Sequence, residues 1–139
     1  MKKSILFLFV VATLVSCKPL EMVSWDGVAT QNGGGISDQY PMRFVILQKG
    51  NKLKGFTHFC MPGDPATFVK MEFKGTRNGD KMKLTETKII DYTEINGEWL
   101  TKDIELKYID NAGQKIITGT WIAHKNKSIN GEILLQTKK

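Results

Sequence analysis

Few side chains in this sequence have the types and spacing for chemistry. His58, Cys60 and His124 form the first set, the only two histidines of the chain and a thiol two positions from one of them. One thiolate and two imidazoles make a zinc or copper ligand set if a fold brings them to one point. That is not expected, because strand alternation turns both histidines outward near strand ends, and no metal is assigned. A Cys60–His58 nucleophilic pair would need hydrogen-bond contact, whereas i, i+2 side chains of one strand stand about 7 Å apart. Glu86 is the second candidate. Met82, Leu84 and Ile90 place its row inward, Lys88 shares that row, and an internal Glu86–Lys88 ion pair would mark the few polar groups of an apolar pocket. A bulge that turns both outward is the open alternative. No Ser-His-Asp spacing, phosphate-cradling glycine loop or dinucleotide fingerprint is present. The expectation is therefore a protein that is not an enzyme and carries no cofactor.

The elements that position these residues read as strands throughout. Runs of about ten β-rich residues alternate with Gly/Asn/Asp clusters from Trp25 to Gln136, the rhythm of a barrel or sandwich. The strands fall at about 23–30, 40–48, 53–60, 67–75, 81–91, 98–109, 115–124 and 129–137. Lys49-Gly50-Asn51-Lys52, Arg77-Asn78-Gly79-Asp80, Asn96-Gly97 and Asn111-Ala112-Gly113 supply residues that tolerate φ > 0 in hairpin turns. Val69, Met71 and Phe73 alternate with Lys70, Glu72 and Lys74, and Ile104, Leu106 and Tyr108 alternate with Asp103, Glu105 and Lys107. Each strand thus has one apolar face. Eight such antiparallel strands bury those faces most simply in a closed up-and-down barrel, with a two-sheet sandwich as the alternative. Trp25, Phe44, Phe59, Phe73, Trp99, Tyr108 and Trp121 supply most of the core. Trp25, Tyr108 and Trp121, with Glu86, are also the candidate lining of an interior pocket, with the small inward residues Gly27, Gly55, Gly119, Ala123 and Gly131 leaving room beside them.

The start of the chain has a different logic. Lys2 and Lys3 precede an apolar run from Ile5 to Val15 that ends in the small residue Ser16, the layout of a signal peptide. The run is shorter than the roughly 20 residues a membrane-spanning helix needs. Leu14-Val15-Ser16-Cys17 resembles the lipobox of bacterial lipoproteins. The resemblance implies that residues 1–16 are removed and that the Cys17 thiol, then the new amino group, carry acyl chains such as palmitate. Two or three chains at about 0.8 kcal/mol per buried CH₂ hold a protein on its membrane. Residues 17–22 would then be a lipidated tether and 23–139 the barrel domain. Lys18, with no Asp after the cysteine, resembles outer-membrane sorting, so the expected location is the cell envelope.

The chain of 139 residues has formal charge +6, but its basic excess is spread among acidic residues, and Arg43 and Arg77 are the only arginines. Nucleic-acid readout leans on arginine forks, so no nucleic-acid partner is expected and the lysines read as solvated strand faces. With Cys17 lipidated, Cys60 has no disulfide partner. Gly50-Asn51-Lys52-Leu53-Lys54-Gly55 and Gly113-Gln114-Lys115-Ile116-Ile117-Thr118-Gly119 share a turn glycine, a lysine and a mid-strand glycine suited to barrel corners. With Trp25-Asp26-Gly27 and Gly131-Glu132-Ile133-Leu134-Leu135, these segments resemble the lipocalin-like, or calycin-like, barrel lipoproteins of bacteria. True lipocalins carry Gly-x-Trp on the first strand, the reverse of the order here, so the resemblance implies the architecture and no particular ligand. Two function classes follow: a membrane-anchored barrel that holds a small hydrophobic ligand, or a filled barrel that meets an envelope protein through its surface as an interaction or inhibitor module.

Overall fold

The computed structural model describes residues 21–32, 35 and 37–137. The expected signal peptide at 1–16, the expected lipidation site Cys17 and residues 18–20 lie outside them. Eight strands follow in order: β1 (Glu21–Thr30), β2 (Gln39–Lys49), β3 (Lys52–Met61), β4 (Asp64–Asn78), β5 (Lys81–Tyr92), β6 (Lys102–Asn111), β7 (Gln114–Ala123) and β8 (Asn130–Thr137). Every strand pairs antiparallel with its chain neighbours, and β8 returns to β1 through Gly27↔Leu135 and Ala29↔Ile133. The sheet is a closed up-and-down barrel, not a sandwich.

Local chemistry accounts for the breaks. Gly50 and Gly79 hold φ of 61° and 63° at the β2–β3 and β4–β5 turns, a region open to glycine without a Cβ clash. Alternation accounts for the faces: Val69, Met71 and Phe73 are buried while Glu72 and Lys74 are exposed, and β8 buries Ile133 and Leu135 between exposed neighbours. Phe44, Phe73, Met71, Leu84, Ile104 and Leu135 fill the waist of the barrel.

Two boundaries differ from the sequence reading. β1 opens at Glu21, so the last two residues of the expected 17–22 tether belong to the strand. β6 opens at Lys102, not at 98. The β5–β6 ladder ends at Thr85↔Asp103, and residues 93–101 leave the sheet as a loop in which Trp99 and Leu100 pack against the core from above. The apolar run Trp99-Leu100 looked like strand because its burial is on the barrel's end, which has no period of two.

Candidate functional site

One end of the barrel is formed by the ends of β1, β3, β5 and β7, and it holds a cup of about 190 Å³. Ala29, Tyr40, Phe59, Met71 and Trp121 line its wall, and residues 95–100 of the loop close over it. The wall is held by polar ties at its rim. Trp121 Nε1 donates to the Thr30 carbonyl at 2.9 Å, Trp99 Nε1 to the Thr93 carbonyl at 2.9 Å, and the Ser37 amide to the Tyr40 hydroxyl at 3.1 Å.

Beneath the cup sits the polar cluster of the interior. Thr57, Glu86 and Lys102 are its buried polar side chains among the described residues. Thr57 Oγ1 donates to Glu86 Oε1 at 2.7 Å. Lys102 Nζ lies 3.0 Å from Glu86 Oε2 and donates to the Leu100 carbonyl at 3.0 Å. Its ammonium also stands 4.2 Å above the Phe59 ring, a cation–π contact in a dry setting. Glu86 Oε2 itself receives no aligned hydrogen bond, so its attraction to Lys102 is coulombic rather than directional.

Glu86 is inward with Met82 and Leu84, but Lys88 and Ile90, expected in the same row, are exposed, and the partner of Glu86 is not Lys88. The β4–β5 register shifts between Glu72 and Phe73, which pair with Lys88 and Glu86. Thr87 is the extra residue, and it rotates Lys88 to the outer face, where Nζ lies 3.5 Å from Glu72. A bulge moves one of two residues that a regular pleat would keep together.

The remaining candidate lining residues sit at the other end. Trp25 and Tyr108 meet edge to face with ring centroids 6.0 Å apart, beside a second cup of about 180 Å³ that also touches Arg77 and Met82. Trp121 belongs to the first cup, Trp25 and Tyr108 to the second, and the packed waist separates them. Gly27, Gly55, Gly119 and Gly131 do not open space between the cups. A Cβ on each would run into a neighbouring strand's carbonyl, those of Leu134, Val45, Glu105 and Thr30 respectively. These glycines let strands approach closely where the barrel turns its corners.

On the outer face, Cys60 Sγ lies 3.6 Å from His58 Nδ1, closer than the 7 Å of a flat pleat. The register shift directly after Cys60 ends that flat geometry, and His58 stacks on Phe68 at 5.2 Å. Burial pushes the His58 imidazole down and the Cys60 thiol up from their ordinary values. The contact therefore joins two neutral groups, the opposite of an activated thiolate–imidazolium pair.

His124 is elsewhere, in a cluster that sequence spacing did not reveal. Its Nε2 lies 2.8 Å from Asp103 Oδ1, its Nδ1 2.9 Å from Thr101 Oγ1, and Thr85 Oγ1 donates to Asp103 at 2.9 Å. The hydrogen bond from His124 holds the Asp103 carboxyl below its usual range. The order hydroxyl, imidazole, carboxylate is that of a catalytic triad, but the Asp103 side chain is 62% exposed, so the cluster stands in water and ties the start of β6 and the end of β7 to Thr85 within β5. The one readable signal was Thr85 and Asp103 as outward residues, since only the register pairs them. Among the described residues, no three His, Cys, Asp or Glu side chains converge where a metal ion would sit.

No family model, curated protein or solved structure matches this chain. The functional reading therefore rests on the barrel and its cups.

Proposed function

We propose that this protein is a lipid-anchored component of the cell envelope whose barrel receives a small apolar or amphipathic molecule. The observation that carries the reading is the cup of about 190 Å³ under residues 95–100, walled by Trp121, Tyr40 and Phe59 with the Lys102 ammonium at its base. Apolar walls with a few convergent polar groups are the usual layout of a small-molecule site. The volume suits one ring or a short alkyl tail, since a cavity of about 150 Å³ already holds benzene. The neutral Glu86–Lys102 pair offers a dipole rather than a net charge to a polar head.

Titration of the protein with octanol and octanoate tests the reading through tryptophan fluorescence. Trp121 and Trp99 line the cup while Trp25 lies at the far end, so a saturable change that Trp121→Phe and Trp99→Phe each reduce and Trp25→Phe leaves in place is the expected result. A native protein whose emission is unmoved by either probe up to its solubility limit would sink the ligand reading.

A second reading has its own observation. β5 runs past its last β6 partner at Thr85 as far as Tyr92, with Ile90 44% and Tyr92 54% exposed. An edge with unpaired backbone groups is a template for an added strand, here from an envelope protein. Its check is an Ile90→Lys change on the exposed side of that edge, away from the cup, which should weaken crosslinking of the anchored protein to that partner while leaving octanol binding intact.

A further inference from the structure

Lysine faces lysine at three places in the sheet: Lys49↔Lys52, Lys54↔Lys74 and Lys81↔Lys107. Like charges directly across a strand pair repel. Lys107 is relieved by Asp80 at 3.9 Å, and nearby Lys83 by Glu105 at 3.9 Å. Among the described residues, Lys49, Lys52, Lys54 and Lys74 have no acidic side chain within ion-pair distance. All four are exposed.

These four lysines wall a single concavity of about 620 Å³ on the outer face of β2 to β5, which they share with Leu47 and the bare backbone of Gly75. Ammonium groups that repel one another around an apolar patch match an anion with apolar atoms beside it. A phospholipid headgroup, phosphate outside and acyl carbons beneath, has that chemistry. Position supplies the second argument. Gln48, next to Lys49, pairs with Glu21, the first residue of β1. Residues 18–20 separate Glu21 from Cys17, and the four steps along the chain between them span at most about 14 Å. A lipid on Cys17 would hold the membrane surface at this end of the barrel, within about two of the roughly 8 Å lengths over which charges are screened in physiological salt. The opposite end of the barrel carries Asp38, Asp64, Glu94 and Glu98 against Lys125 and Lys127, and Lys125 is already paired with Glu98, a balance that favours an anionic surface less than the lysine wall does.

We propose that the concavity of Lys49, Lys52, Lys54 and Lys74 docks on anionic phospholipid headgroups of the membrane that holds Cys17, with the Trp121 cup turned toward the aqueous side. The proposal rests on reading Cys17 as the lipid anchor. A basic patch beside a membrane attachment point strengthens attachment where the leaflet is anionic, and here it would also fix the orientation of the barrel.

The experiment is pulse acetylation of lysines in the full chain, read residue by residue by mass spectrometry. The chain is reconstituted in phosphatidylcholine vesicles with or without phosphatidylglycerol. With phosphatidylglycerol, Lys49, Lys52, Lys54 and Lys74 should label several-fold more slowly, Lys125 and Lys127 at the other end should be unchanged, and added salt should erase the difference. Lys81 and Lys107 should be shielded in the native chain and lose that shielding in a Lys49→Gln/Lys52→Gln/Lys54→Gln/Lys74→Gln variant, which separates docking from mere nearness of the anchor. Equal labelling in the two vesicle types overturns the proposal. So does protection by inorganic phosphate in phosphatidylcholine vesicles that equals protection by phosphatidylglycerol. The acyl mass on the N-terminal peptide is measured in the same spectra. An N-terminal peptide without acyl mass refutes the anchor reading, whereas equal labelling of a chain that carries it refutes docking, so the two failures give different results.

Discussion

Glu86 and Lys102 meet inside the barrel at 3.0 Å, at the meeting point of the packed waist and the Trp121 cup. Both side chains are nearly shut off from water, 0% and 7% exposed. Desolvating two charges is expensive, and their attraction roughly offsets it only while both are present.

Removing one partner should therefore hurt more than removing the cluster. Lys102→Met alone leaves the Glu86 carboxylate without its counter-charge and is expected to lower stability by about 3–5 kcal/mol. Glu86→Leu and Thr57→Val added to it remove the stranded acceptor and donor, and the triple variant should recover most of the loss. Urea denaturation of the three proteins checks this. A triple variant no more stable than Lys102→Met alone would show that the cluster does not act as a unit.

Gly119 predicts a second stability effect. A Cβ there meets the Glu105 carbonyl and the Leu106 backbone, so Gly119→Ala forces β6 and β7 apart and should destabilise by about 1–3 kcal/mol. Thr120→Ala, one residue on and exposed, should stay within about 0.5 kcal/mol. Thermal unfolding of the pair separates a corner requirement from a general sensitivity of β7.

Asp103 gives the pH dependence. Its folded pKa lies below its ordinary value of 3.8, chiefly through the hydrogen bond with His124. A depressed carboxylate contributes stability that is fully present above its unfolded pKa and is lost as pH falls through the folded one. The contribution should thus disappear on acidification below about pH 4. Following the Asp103 carboxyl by NMR, His124→Gln should move its titration up toward the ordinary value, and Asp103→Asn should flatten the acid limb of the stability curve. An unmoved titration in His124→Gln would remove the imidazole as the cause.

Cys17→Ser tests the anchor. The variant should incorporate no labelled palmitate and should keep residues 1–16, because both processing and acylation need the thiol. A variant that still takes up label, or is still cleaved before residue 17, would contradict the lipoprotein reading.

Much of the barrel was legible in the residues. The period-two burial of Val69, Met71 and Phe73, or of Ile104 and Leu106, is a local property, because successive side chains on a strand alternate whatever the rest of the chain does. The turns at Gly50 and Gly79 are equally local. The same alternation offered Glu86 an inward place beside Lys88, with a bulge that turns both outward left open; the structure keeps Glu86 inside and sends Lys88 out.

The partners were not legible, because they depend on register between strands. Thr87 as a bulge sends Lys88 outward and leaves Lys102 of β6 to face Glu86, and a bulge has no signature in alternation. Thr101, Asp103 and His124 meet only because β6 pairs with β7, Lys102 opposite Ala123. The fourfold lysine wall arises because β3 stands between β2 and β4, which sets Lys49 against Lys52 and Lys54 against Lys74. The sequence by itself determined which side of each strand is apolar, through burial acting on a single strand. Closure through Gly27 and Leu135, the split of Trp25 and Tyr108 from Trp121, and the identity of every charged neighbour were decided only when eight strands shared one register, since a shift of one residue would turn each side chain to the other face.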